Sequence, residues 1–504
     1  MANAKRLAKN TIYMYIRMFF IMGVSIYTSR VLLDKLGVDD YGLYNAVTSV
    51  VSIVAFVNMT LSTSTLRFLT FDLGKGDNKK MRGTFATAFW VHFLLAIFIV
   101  VVMESIGLWY MHTKFVIPEG REFATHVTFQ LSILMTAVSL CLVPYTSLIL
   151  AHEDMNFYAY VSIVDVVAKL LIVYIICISS FDKLITYASL VLSVQTITAL
   201  IYLFICKAKY PESKLTTNIS KDTFKKMMGF SGWTALGNLS NTLTIQGAIL
   251  VLNLFFAPAI IAAKAVADQI TAAILQFVAN FRTALNPQII KSFSTDNKKE
   301  SESLTLKSTV ISFDLILIIG LPFIFTAEAI LGVWLVNVPP MAVEFTQLAV
   351  LTQIFGTIST STYIAFVSTG KLRNNAIYGI VSGFAYFILL YCIFTISDNP
   401  LWVQLLKLFF TAMTFLIVRP YLLYYELGFK FSNIFESYWQ CLKVFAPATV
   451  ISYGLSVFMP KGMFFQFLLF IEIAIVCLVC SYLFMEKGLR QQVNQIVISK
   501  FNKR

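Results

Sequence analysis

Charge is scarce in this chain. Only 13% of its 504 residues are Asp, Glu, Lys or Arg, where soluble domains carry about 25%. Hydrophobic residues make up 58% and the mean hydropathy is +0.77, so a soluble globular fold is excluded and lipid is the expected solvent. Spacings that hold metals, nucleotides or disulfides are missing too. Cys141, Cys177, Cys206, Cys392, Cys441, Cys477 and Cys480 fall singly inside or beside apolar runs and read as small lipid-buried hydrophobes. The 22 Gly and 12 Pro lie without period, which excludes collagen-like and disordered classes. His92, His112, His126 and His152 are dispersed, and His152-Glu153 lacks the second His of a zinc-hydrolase helix. Gly74-Lys75-Gly76-Asp77 has neither the spacing nor the hydroxyl of a phosphate-binding loop. No metal, no cofactor, no intrinsic ATPase and no enzymatic activity are therefore expected.

What the chain has is a succession of apolar runs. Windows of about 20 residues, the length a helix needs to cross the hydrocarbon core, give spans at roughly 11–33, 42–65, 85–110, 126–150, 157–180, 184–205, 227–254, 259–284, 304–327, 342–367, 376–397, 401–424, 440–459 and 463–485. These fourteen runs show no dyad alternation and are twice the length of a membrane strand, so a β-barrel is excluded. The expectation is an all-α polytopic membrane protein with about 14 transmembrane helices. The first run has a basic start but no small-residue cleavage site and is long enough to span, so it is expected to stay as the first helix.

Lys and Arg mark the cytoplasmic side. With the N-terminus inside, the cytoplasmic segments hold 25 of them, against Lys35, Lys114, Arg121, Lys183 and Lys461 on the other side. Both termini and the 206–226 segment are then cytoplasmic, and the net charge of +13 is mostly topological. Clusters such as Lys75, Lys79, Lys80 and Arg82 also suit anionic membrane lipids. No nucleic-acid partner is implied. The longest connection, 206–226, is too short for a soluble catalytic domain.

Sliding the chain against itself reveals a weak repeat. Spans one to six and seven to twelve recur at an offset of about 220 residues, with Leu36 to Val47 overlying Phe256 to Ala267 and Ile149 to Ala159 overlying Ser368 to Tyr378. Six spans is an even number, so the two lobes face the same way, as in parallel-repeat transporters that rock around a central site. The expected organisation is an N-terminal lobe at 1–205, a cytoplasmic linker at 206–226, a C-terminal lobe at 227–424, and two further helices with a tail at 425–504.

Several early segments carry a family resemblance: Asn10-Thr11-Ile12-Tyr13-Met14-Tyr15-Ile16-Arg17, Tyr27-Thr28-Ser29-Arg30-Val31-Leu32, Leu36-Gly37-Val38-Asp39-Asp40-Tyr41-Gly42-Leu43-Tyr44-Asn45, and Arg67 through Asp77 (RFLTFDLGKGD). The chain resembles bacterial polysaccharide (Wzx-type) flippases. These belong to the multidrug/oligosaccharidyl-lipid/polysaccharide (MOP) exporter superfamily, which also holds lipid II flippases and MATE drug exporters. The detailed likeness covers roughly residues 10–90, and the 6 + 6 + 2 pattern covers the chain. The resemblance implies a two-lobed transporter of the bacterial cytoplasmic (inner) membrane. Its substrate would be undecaprenyl-diphosphate-linked oligosaccharide, moved from the cytoplasmic to the outer leaflet by alternating access. A proton or sodium ion is the candidate coupling ion, and polysaccharide polymerase or chain-length proteins are candidate partners.

Charges inside the spans are functional candidates by default, because each costs several kcal/mol unless wet or paired. The resemblance places basic residues of the first, second and eighth spans around the cavity, and Arg17, Arg67, Lys264 and Arg282 stand on those helices. Arg supplies planar bidentate donors and Lys a compact charge, both suited to a diphosphate. Each has a plainer reading: Arg17 as a snorkelling anchor, Arg67 and Arg282 as interface anchors, Lys264 as the partner of Asp268 four residues on. Arg30–Asp34 and Asp165–Lys169 read as local pairs. Asp314, mid-span with no opposite charge one turn away, and Asp268 are the ion-coupling candidates. Pro144 and Pro322 mark candidate kinks. Three alternatives stay open: a MATE-like cation-coupled drug exporter, which would favour an acidic, aromatic cavity; a membrane glycosyltransferase or polymerase using Asp34, Asp39 and Asp40; and a scramblase or assembly scaffold.

Overall fold

The computed structural model describes residues 2–74, 78–216, 221–294, 298–460, 462–486 and 490. Among these residues every regular element is helical. In chain order they are α1 (Ala2–Leu36), α2 (Val38–Ser52), α3 (Ala55–Gly74), α4 (Asn78–Val102), α5 (Leu108–Thr113), α6 (Glu122–Ala151), α7 (Met155–Ile178), α8 (Lys183–Lys209), α9 (Lys221–Thr242), α10 (Ala248–Phe255), α11 (Pro258–Ser294), α12 (Lys298–Trp334), α13 (Ala342–Thr369), α14 (Arg373–Phe394), α15 (Trp402–Met413), α16 (Arg419–Leu427), α17 (Phe431–Phe458) and α18 (Met463–Phe484). All fourteen sequence spans fall on these helices, and the chain is a polytopic membrane protein. Among the described residues twelve stretches are long and apolar enough to cross a bilayer as single helices.

The local chemistry explains where helices start and stop. Gly37, at φ +83°, separates α1 from α2, a conformation open to residues without a Cβ. Gly370 and Gly428 close α13 and α16 in the left-handed region, as helix C-termini favour. Pro258 opens α11 at the position where a missing N–H costs nothing. The second span is broken: α2 and α3 meet at 55°. Three spans contain one wide turn with i→i+5 bonding, at Met103–Gly107, Leu243–Gly247 and Thr414–Val418. Such turns cluster at functional positions, and no periodicity in the sequence announces them. Pro144 and Pro322 sit inside continuous helices.

The chain divides into two compact units. Unit 1 comprises residues 1–265, 335–339 and 375–400; unit 2 comprises 266–334, 340–374 and 401–504. The 227–424 stretch of the sequence repeat thus supplies helices to both.

Unit 1 is tied at both of its ends by side chains. At one end Arg121 donates to Asp40 and Asp182, joining the connections after α1, α5 and α7. At the other, Lys209 and Tyr210 bond Asp154, His152 meets Glu212 at 2.5 Å, and Trp90 donates to Thr216 O at 3.1 Å. The connections between spans one and two, three and four, and five and six therefore share one face, and those between spans four and five and after span six the opposite face, the alternation that six membrane crossings require. Against this second end packs an apolar core with Leu69, Met81, Phe85, Tyr145, Leu148 and Cys206. Gly42 of α2 lets the backbone of Pro258 approach so closely that a Cβ would sit 1.9 Å from its carbonyl oxygen.

Unit 2 is built around α12, which packs along α13, α17 and α18. Phe313, Phe355, Phe415 and Phe445 form its aromatic centre, with ring centroids 5.1–6.5 Å apart.

Candidate functional site

The candidate cations occupy four different settings. Arg17 of α1 lies over the Tyr158 ring of α7, 4.7 Å from its centroid, within reach of a desolvated cation–π contact. Its Nε is sealed from solvent with no hydrogen-bond partner among the described residues. Arg67 is exposed on α3. Five residues on, Asp72 is only 3% exposed and is held by Thr84 Oγ1 at 2.7 Å and Lys80 Nζ at 3.2 Å, so the charged motif after the second span locks α3 to α4.

Lys264 is the deepest of the four at 2% exposure, while Asp268 and Arg282 are half-buried. All three ride on α11. Lys264 and Arg282 are 18 residues apart, which at 3.6 residues per turn brings them to one face, about five turns and roughly 27 Å apart along the axis. A diphosphate is far smaller than that distance.

The carboxylates separate as well. Asp165 bonds Lys169 Nζ at 2.7 Å and accepts from Thr198 Oγ1 at 3.3 Å, the local pair its spacing predicts. Asp34 meets its neighbour Lys35 at 2.9 Å, a contact the i, i+4 reading with Arg30 does not anticipate. Asp314 of α12 has an oxygen, Oδ1, that is buried without a hydrogen-bond partner among the described residues. Cys441 on α17 and Cys477 on α18 are its neighbours. Asp314 thus stands beside the two helices outside the repeat.

Two features escape the sequence reading. Arg419 of α16 stacks over Phe366 and Tyr363 of α13, at 5.3 and 5.8 Å; its signal was available, an arginine inside an apolar run. The Arg121 clamp joins residues far apart in sequence, so no local pattern reveals it. Burial opposes the Arg121 charge, but Asp182 and Asp40 outweigh it and hold the guanidinium above its ordinary value. Burial likewise pushes the Asp182 carboxyl up, and Arg121 with the N–H groups of Ile185 and Leu184 more than reverses this.

Chemically, buried cations on spanning helices suit an anionic headgroup, and half-buried carboxylates suit a proton or cation. No curated protein sequence matches the chain. Its fold is similar to that of a lipid II flippase, MurJ, in an inward closed conformation, with a TM-score of 0.72 at 13% identity over 95% of this chain and 100% of that one. An inward-facing MATE-family multidrug transporter of the MOP superfamily aligns with a TM-score of 0.61 at 12% identity, covering 80% and 95% of the two chains. A MOP superfamily transporter from Pyrococcus furiosus, described as having a binding pocket of reversed polarity, aligns at 0.57 and 14% identity over 80% and 92%. The family model described as polysaccharide biosynthesis protein matches residues 7–293, more than half of the sequence, and the chain belongs to that family.

Proposed function

We propose that this protein is a flippase for lipid-linked oligosaccharide, carrying a polyprenyl-diphosphate-linked repeat unit from the cytoplasmic to the outer leaflet of the bacterial inner membrane by alternating access. Membership of the polysaccharide biosynthesis family and a fold similar to those of MurJ and MATE transporters support this reading. The observation that carries the reading is Lys264, a cation buried on a membrane-spanning helix, with Arg282 on the same face of that helix. Such a charge is retained at depth only where it serves a partner or a substrate. The diphosphate would meet Arg282 and Lys264 in succession rather than together, with Arg67 and Arg17 as further donors on α3 and α1. Asp268, one turn from Lys264, would be released when the diphosphate takes over that lysine, linking anion binding to cation exchange.

Cells lacking the protein should accumulate an undecaprenyl-diphosphate-linked glycan on the cytoplasmic leaflet. Alanine at Lys264 or Arg282 should reproduce that accumulation at normal protein abundance. Normal surface glycan in the deletion strain would remove the reading.

A further inference from the structure

Unit 2 holds a polar cavity of about 390 Å³ between the N-terminal ends of α12 and α17. Lys299, Glu302 and Lys307 of α12 and Lys430, Glu436 and Ser437 of α17 line it. Its walls are pinned: Glu302 Oε1 accepts from Lys430 N and from Asn433 Nδ2, each at 2.9 Å, and Lys307 meets Glu486, just past α18, at 3.4 Å. Val310 of α12 and Ser437 of α17 are among its lining residues. One turn beyond them, about 6 Å along each axis, stand Asp314 on α12 and Cys441 on α17.

The polar atoms at this level lack protein partners among the described residues. Asp314 Oδ1, Ser437 Oγ, Tyr438 Oη and Ser481 Oγ are all buried and unbonded. Inside a membrane protein each such group costs several kcal/mol unless water or an ion satisfies it. Two of them bear on the cavity directly, Ser437 as part of its lining and Asp314 one turn beyond Val310, while Ser481 stands on α18 and Tyr438 lines a separate apolar pocket with Phe313 and Phe415. The titratable neighbours of Asp314 are Cys441 from α17 and Cys477 from α18, whose one charged residue is Glu472. α13, packed along the other side of α12, brings only Glu344 in its first turn and Tyr363. Thiols and single hydroxyls make a poor shell for sodium, a hard cation that seeks several oxygens; a proton needs one oxygen and a chain of water.

We propose that α12, α17 and α18 enclose a water path from this cavity to Asp314, which takes up a proton there, apart from the anion path on α11. A hydronium ion in the cavity gives up its proton, an O–H bond forms on the Asp314 carboxylate, and water is left. The two helices outside the repeat thereby become part of the energy-coupling machinery. The coupling meaning rests on the flippase reading; the path and the protonation do not.

The test uses the purified full-length protein without any glycan. In a background with the native cysteines replaced, Ser437→Cys should react with a charged methanethiosulfonate reagent applied from the cavity side. Infrared difference spectra between acid and alkaline pH should show a carboxyl band that shifts in D₂O and disappears in Asp314→Asn. Dicyclohexylcarbodiimide, which attacks protonated carboxyls in apolar surroundings, should modify Asp314 in the wild-type protein, so the test stands even where the Asn variant fails to fold. Refusal of the reagent by Ser437→Cys and Val310→Cys alike overturns the path. An unchanged carboxyl band in Asp314→Asn, or wild-type protein left unmodified at Asp314, overturns the protonation. Either failure leaves the flippase reading standing, and a failed flipping assay leaves these readouts untouched.

Discussion

At the scale of single residues, Gly42 is the position where one methyl group matters most. A Cβ there would overlap the Pro258 carbonyl, with 1.9 Å to its oxygen and 2.5 Å to its carbon, and helix backbone cannot step aside as a side chain can. Gly42→Ala should cost about 1–3 kcal/mol, as overpacking does, seen as a lower melting temperature in detergent. Gly83→Ala, where a Cβ meets nothing within 4 Å, should leave melting unchanged or raise it slightly. Lys264 and Asp268 permit a sharper experiment. If the lysine serves only to neutralise Asp268, the double change Lys264→Met with Asp268→Leu should restore both folding and export, because a buried pair can be replaced by apolar residues at little cost. If Lys264 binds the diphosphate, the double variant folds and export stays lost. Sequence alone flagged Lys264, Asp268, Arg282 and Asp314 because charge inside an apolar run is conspicuous. It did not reveal that Asp314 neighbours Cys441 and Cys477, since that depends on how helices far apart in sequence pack.

At the scale of elements, the apolar runs mapped onto helices because 20 consecutive hydrophobic residues in lipid have few other solutions. The broken second span and the three wide turns were invisible, since hydropathy is blind to a single extra residue in a helical turn. Two of these turns end in a glycine under an aromatic ring: a Cβ on Gly107 would lie 2.9 Å from Phe129 Cζ, and one on Gly247 2.9 Å from Phe387 Cδ2. The start of α8 offers a pH test. Asp182 caps it, accepting from Leu184 N at 3.0 Å and Ile185 N at 3.1 Å, and also binds Arg121. Because its carboxyl is held below the ordinary value in the folded protein, the stability it adds is present above the unfolded pKa and is lost as the pH falls through the folded one. Asp182→Ala should therefore cost about 1 kcal/mol at neutral pH, typical of a lost cap. The gap from wild type should close on acidification below the usual carboxylate range. A gap independent of pH would assign the effect to packing rather than charge.

At the scale of the whole molecule, the charge asymmetry makes a statement about sidedness. A Cys introduced at Lys214 should be shielded from an impermeant thiol reagent in intact cells, and one at Arg121 should be labelled; the reverse pattern would invert the topology. Arg82 Nε donates to Lys214 O at 3.1 Å at one end of unit 1 and Arg121 pairs with Asp40 at the other, so the two sites should label oppositely. The Lys and Arg counts bear on sidedness because positive charge is retained on one side of the membrane. The assignment of helices to compact units was not legible in the sequence, because contacts, unlike repeats, leave no periodic trace in a run of leucines and phenylalanines.

The central claim is that the chain moves a diphosphate-linked glycolipid across a bilayer, and reconstitution tests it most directly. Purified protein would be placed in vesicles bearing undecaprenyl-diphosphate-linked oligosaccharide labelled on its sugar, and the appearance of label at the opposite leaflet followed with an impermeant glycosidase. The account predicts protein-dependent translocation, abolished by Lys264→Ala and Arg282→Ala and faster under an imposed pH gradient. Translocation no faster than in protein-free vesicles, across both gradient directions, would contradict it.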